Sequence, residues 1–212
     1  MPAALPYSSC MVPDEERWNR NIQYHPLLLR LGSADRVLDV GCGSGLLCRQ
    51  LIPYATEVIG IDVDRSSIDE AQRETSDPAV EYIVGDVLSY PFERASFDLV
   101  VSVAVLHHMD AATGLRRFAD LVKPGGTVGV VGIGRSVYPR DLGRDGIAAI
   151  ATFAHRKTRR CTFWHHNSPM VWPPPLTDHE MRRLVEEVLP GARFRRHLHG
   201  RHSIVWTKPR SE

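Results

Sequence analysis

The sequence predicts an α/β fold: a mostly parallel, doubly wound sheet completed by a C-terminal antiparallel hairpin. Two observations carry the prediction. From Arg36 to Ile133, short β-branched runs alternate with amphipathic segments, the pattern of βαβ units around a parallel sheet. Several runs, notably Leu99, Val100, Val101 and Val103, are apolar almost throughout, as strands are when helices cover both faces.

The 212 residues suit a single domain. It divides into a helical N-terminal cap segment (1–35), a ligand-binding core (36–133), an insertion or lid (134–176), and a C-terminal helix with hairpin (177–212). Core strands are expected at Arg36 to Val40, Glu57 to Ile61, Val80 to Val84, Phe97 to Val103 and Thr127 to Ile133. Between them, Ser67 with Glu70 reads as a capping box opening a helix through Glu74. Leu115, Phe118, Leu121 and Val122 mark the apolar stripe of another helix, which Lys123-Pro124-Gly125-Gly126 stops. The pattern weakens from Arg135 to Leu176, which holds a helix near Ile147 to His155, the basic run Arg156 to Arg160, and a loop ending in Trp172-Pro173-Pro174-Pro175. Thr177 with Glu180 is a second capping box, and its helix runs to Val188 before Pro190-Gly191. Ala192 to Leu198 and Ser203 to Thr207, joined by a turn at Gly200, read as the closing hairpin.

A formal net charge of +1 gives no general attraction to nucleic acid or anionic membrane, so the composition favours a small or neutral partner. Cys10, Cys42, Cys48 and Cys161 form no CxxC pair or spaced ligand set, which argues against disulfides and against a metal site. The N-terminal stretch carries prolines and acidic residues rather than a signal pattern, and no apolar run approaches membrane-spanning length. A cytoplasmic protein without a membrane partner is expected, with its oligomeric state left open.

The sharpest local signal is Val37-Leu38-Asp39-Val40-Gly41-Cys42-Gly43-Ser44-Gly45, a strand entering a glycine-rich turn and then a helix. Missing Cβ atoms let backbone approach a ligand closely. A carboxylate, Asp62, ends the next strand, where it can accept hydrogen bonds from both hydroxyls of a ribose. Asp86, in Gly85-Asp86-Val87 after the third strand, is placed to meet an adenine amino group. Each aspartate alone also reads as a capping or surface residue. The sixth position of a dinucleotide GxGxxG fingerprint is Leu46 here, and Asp39 would repel a pyrophosphate. A ligand with an amino group, a sulfonium and no phosphate suits that charge, and S-adenosyl-L-methionine is such a ligand.

Taken in order and spacing, VLDVGCGSG, GIDVD, GDV, FDLVVSVAVLHH and LVKPGG resemble the class I S-adenosylmethionine-dependent methyltransferases over about Arg36 to Ile133. The resemblance implies a Rossmann-like sheet and S-adenosyl-L-homocysteine as product. It places Asp39 and the loop of Gly41, Cys42, Gly43 and Gly45 around the methionine part. Asp62 would bind the ribose, Val63 would pack on adenine, and Asp86 with the Val87 amide would read the adenine edge. Val103 and Ala104 would offer backbone groups to the amine, and a leading helix within Trp18 to Leu29, with Tyr24 and His25, would close over the cofactor.

Methyl transfer is an in-line displacement at an activated carbon, so alignment and exclusion of water dominate. If the acceptor is a hydroxyl or acidic carbon, a base must take its proton, and His107 and His108, just past the fourth strand, are the candidates. A packing role competes for both. Trp164 and Trp172 are candidates for an apolar acceptor pocket, with packing on the core as the rival reading. His165-His166 lacks companions at metal-ligand spacing. Arg193, Arg195, Arg196, Arg201 and the run at Arg156 read as a solvated face rather than an RNA surface. A small-molecule acceptor reacting at oxygen or carbon is therefore favoured over RNA, protein, or binding of the cofactor without catalysis.

Overall fold

The computed structural model describes residues 12–143, 146–148, 150, 162–164 and 172–210. Seven strands form one sheet in the order β4-β3-β2-β5-β6-β9-β8. Strands β2 (Ala34–Val40), β3 (Ala55–Asp62), β4 (Val80–Val84), β5 (Phe97–Val103) and β6 (Val122–Ile133) run parallel, while β8 (Arg193–Arg196) and β9 (Arg201–Thr207) add the antiparallel edge. Central β2 registers Leu38 with Ile59 on one side and with Val100 on the other.

The period-two side-chain alternation of the strands divides the core into two layers. Leu38, Ile59, Val100 and Val130 face helix α4 (Ala111–Leu121) and the last helix (Asp178–Val188), packing on Leu115, Phe118 and Val185. Their neighbours Val37, Val58, Val101 and Val131 face α1 (His25–Leu29) and α2 (Leu46–Leu51) through Leu28, Leu47 and Leu51, and α3 (Arg65–Glu74) through Ile68. Phe118 is fully buried, and truncating such a ring to alanine costs about 3–5 kcal/mol. Apolar residues on both sides of one strand thus produce the doubly wound arrangement.

Several boundaries depart from expectation. The cap of α3 is Asp64, not Ser67: its carboxylate accepts from the Ser67 amide at 2.9 Å and from the Ser67 hydroxyl at 2.6 Å. The Thr177–Glu180 box forms with both reciprocal bonds. Strand β6 begins at Val122 rather than Thr127, because Val122 pairs with Phe97 and a register shift between Phe97 and Leu99 absorbs the Lys123–Gly126 turn, where Gly125 has φ +83°. The final hairpin turns at His199 and Gly200, both at positive φ, so β9 starts at Arg201 instead of Ser203.

The N-terminal segment is less helical than expected. Asn19 Oδ1 accepts from the Asn21 and Ile22 amides, forming a turn, and Pro26 confines the true α-helix to His25–Leu29. Ahead of it, Arg17–Trp18 (β1) pairs in parallel with Thr162–Phe163 (β7). The buried Arg17 guanidinium grips Glu74 through two bonds of 2.8 and 2.9 Å, and Arg49 reaches the same carboxylate at 3.0 Å and Asp14 at 2.6 and 2.9 Å. This network fastens the segment to α2 and α3. Most of the helix expected at Ile147 to His155, the basic run at Arg156 and His165-His166 lie outside the described residues. No described helix is long and apolar enough to cross a membrane.

Candidate functional site

The glycine turn lies where β2 meets the end of β3. Gly41 and Cys42 donate their amides to the Ile61 carbonyl at 2.8 and 3.2 Å. Gly41, Gly43 and Gly45 all take positive φ, and a Cβ at Gly41 or Gly45 would collide with Val105 or the Tyr82 hydroxyl. Asp62 locks this turn: its Oδ2 accepts from the Gly43 amide and its Oδ1 from the Asp64 amide, each at 2.9 Å. Asp62 therefore ties the ends of two strands together.

Asp39 is 2% exposed, and its carboxylate receives one hydrogen bond, from the Cys48 thiol at 3.3 Å. Burial, set against that weak donor and aggravated by the Asp62 charge, pushes its pKa up to about 7. The same environment raises the pKa values of the Cys42 and Cys48 thiols; both cysteines are free. A buried carboxylate served by a single thiol is costly to ionise.

Around this pair, the turn carries an open apolar wall. Val63 is 70% exposed, and Val87 is buried. The Asp86 carboxylate is exposed and accepts from the Leu88 amide at 2.9 Å, which shapes its own loop. At the end of β5, Ala104 has φ +58° and donates its amide to the Val131 carbonyl at 2.7 Å, leaving its carbonyl oxygen as the group a ligand amine can use.

The turn Leu106–His108 follows. Its two imidazoles lie 4.0 Å apart between centroids. His107 Nδ1 is buried without a hydrogen-bond partner, and burial, with His108 and Arg201 nearby, lowers its pKa to about 4. His108 is more open; burial lowers its pKa while Asp62 pulls it back up, which places it on the Asp62 side.

Other sequence candidates are spread more widely. Tyr24 donates its hydroxyl to the Leu198 carbonyl at 2.8 Å and packs on His197, whereas His25 is buried with Nδ1 2.8 Å from Gln50 Oε1 on α2. Trp164 stacks over the Arg17 guanidinium at 4.1 Å, and Trp172 is 71% exposed. Sequence reasoning missed Cys48 as the partner of Asp39, although its place one helical turn beyond the glycines was a signal. It also placed Arg196 and Arg201 on a solvated face. Arg196 is indeed exposed, though it also binds Asp178 and Asp141 at 2.7 and 2.8 Å, whereas Arg201 turns inward beside the histidine turn. No group of three or more potential metal-ligating side chains gathers among the described residues.

A family described as "Methyltransferase domain" matches residues 38–130. An uncharacterized methyltransferase of Mycobacterium tuberculosis is 39% identical over 207 residues, covering 92% of this chain and 99% of its own length. The chain belongs to the class I S-adenosylmethionine-dependent methyltransferases. This methyltransferase is also similar to a ubiquinone biosynthesis O-methyltransferase of Bradyrhizobium diazoefficiens, 38% identical over 71% of this chain and 58% of the relative. Among solved structures, Haemonchus contortus phosphoethanolamine N-methyltransferase 2, in complex with S-adenosyl-L-methionine, shares the fold at a TM-score of 0.63 and 16% identity, covering 89% of this chain and 53% of that one.

Proposed function

We propose that this methyltransferase transfers a methyl group from S-adenosyl-L-methionine to a small molecule, at oxygen or carbon ahead of nitrogen. The observation that carries the cofactor assignment is Asp39, a buried carboxylate whose single partner is a thiol. It fits a cationic ligand, since ammonium and sulfonium charges supply the compensation the fold withholds. Asp62 beside Gly43 would hold the ribose, Val63 would lie against the adenine, Asp86 and the Val87 amide would meet its edge, and the Ala104 carbonyl would accept from the ammonium. Kinship with an O-methyltransferase supports oxygen as the acceptor atom.

The cofactor would supply an electrophilic methyl carbon. The chain's own part is to align the acceptor, exclude water and receive a proton. His107 is the proposed base: its pKa near 4 keeps it neutral at physiological pH, and its buried Nδ1 has an unused lone pair or N–H. Titration calorimetry with S-adenosylhomocysteine and NAD, followed by transfer of labelled methyl to a panel of phenols, enols and amines, tests the reading. Tighter binding of NAD would overturn the cofactor assignment, and labelling of amines alone would overturn the acceptor assignment.

A further inference from the structure

Arg201 opens β9 and registers with Ile133 at the end of β6, at the same end of the sheet as the glycine turn. Strand β6 also pairs with β5, aligning Val131 with Val103, so the His107 turn lies on the neighbouring strand end. The Arg201 guanidinium donates to Asn21 Oδ1 from Nε at 3.1 Å and from Nη2 at 2.8 Å, and to the His199 carbonyl from Nη1 at 2.8 Å. All of these acceptors are neutral. No described carboxylate pairs with it, and the residues outside the described set add two carboxylate side chains, Asp145 and Glu212.

The contrast with the other arginines is sharp. The buried Arg17 and the partly buried Arg49 share Glu74, and even the exposed Arg196 is held by Asp178 and Asp141. The charge beside Arg201 is instead Arg20, which opposes it; burial and Arg20 together lower the Arg201 pKa to about 10 despite a favourable Tyr24. Arg201 in turn disfavours protonation of His107 and His199. A largely buried cation without a counter-ion is costly to retain, and the cost is offset when a ligand brings the negative charge.

We propose that Arg201, assisted by Arg20 at the rim, is the anion subsite of the acceptor pocket, and that the acceptor is a small molecule carrying a carboxylate or phosphate. The proposal rests on the reading of the chain as a small-molecule methyltransferase. With the anion on the guanidinium, the reacting hydroxyl lies toward His107. The donor would supply the methyl carbon and keep the C–S electron pair on sulfur as a neutral thioether, while the acceptor oxygen would gain the methyl group and its hydroxyl proton would pass to the His107 imidazole. Arg201 is here a specificity-determining group. The competing role is a staple joining the hairpin to Asn21, which would affect charged and neutral ligands alike.

The test is titration calorimetry on the full chain with saturating S-adenosylhomocysteine. The probes are 3,4-dihydroxybenzoate, salicylate and phenyl phosphate, with the methyl esters of the two acids as neutral controls. At least one anion is expected to bind about tenfold or more tightly than the neutral controls, as a charge-assisted guanidinium contact allows. In Arg201→Gln that preference disappears while S-adenosylhomocysteine affinity holds. Preference for an acid or for phenyl phosphate identifies the anion. Arg20→Gln, at an exposed position, reduces the same preference and serves if Arg201→Gln fails to fold. Esters binding as well as acids, undiminished anion binding in Arg201→Gln, or no anion binding at all would each overturn the proposal. Failure of S-adenosylhomocysteine to bind would instead count against the cofactor site, and the anion titrations repeated without it still decide the role of Arg201.

Discussion

Replacing Asp39 with asparagine separates what the carboxylate costs the fold from what it gives the ligand. Its pKa is raised from 3.8 to about 7, chiefly by burial, which at about 1.4 kcal/mol per pH unit corresponds to about 4 kcal/mol at most. Because the folded value lies above the unfolded one, the folded chain binds more protons between them. Stability is therefore full below about pH 4 and is lost as pH rises toward 7. The amide oxygen of Asp39→Asn can still accept from the Cys48 thiol, so the variant is expected to escape this loss. In thermal melts from pH 4 to 9, the variant should gain on the parent as pH rises, by up to about 10 °C above pH 7 for a chain of this size. Calorimetry at pH 8 should show the reverse for S-adenosylmethionine, with affinity lower by about tenfold or more. Parallel melting profiles across pH, or equal affinity for the cationic ligand, would refute the reasoning that Asp39 is an ionisable group held for a cation.

Asp62→Ala should weaken cofactor binding by about 1.5–3 kcal/mol, because it removes a charged acceptor and frees the Gly43 amide that it holds at 2.9 Å; calorimetry reads the loss, and unchanged affinity would remove Asp62 from the site. His107→Ala should lower kcat while leaving cofactor affinity intact. With cofactor saturating, so that Asp39 is already held ionised, the acid limb of kcat/KM for the acceptor should fall near pH 4, following the depressed His107 value, and a limb near 6.5 under that condition would exclude this group as the base. Glu74→Ala should destabilise the fold by about 1.5–3 kcal/mol, since it removes the carboxylate that Arg17 and Arg49 share and leaves both guanidiniums to Asp14 alone; a denaturant midpoint equal to that of the parent would show the network to be worth nothing.

The parallel core was legible because each strand writes its two faces in alternation: Val37 and Leu38 enter opposite layers, and both had to be apolar. The glycine turn was legible because backbone at positive φ against Val105 and Tyr82 has one inexpensive solution. Boundaries set by side-chain hydrogen bonds were harder. Ser67 read as the cap, yet the extended backbone falls at Asp64, whose carboxylate takes the Ser67 amide. The Lys123–Gly126 turn looked like a strand boundary, yet pairing of Val122 with Phe97 draws it into β6. Arg201 was illegible for another reason: whether a hairpin arginine faces water or the histidine turn depends on strand register across the sheet, which local pattern does not contain.

The β1–β7 pairing couples two stretches that are far apart in sequence. The Trp164 amide donates to the Trp18 carbonyl at 2.8 Å, and the Asn19 side-chain amide donates to the Trp164 carbonyl at 3.3 Å. Two stretches separated by more than half the chain are thereby sewn together and anchored through Arg17 to Glu74. A displacement of either stretch therefore has to carry the other with it or break the pairing, so two distant parts of the chain answer to one anchor on α3.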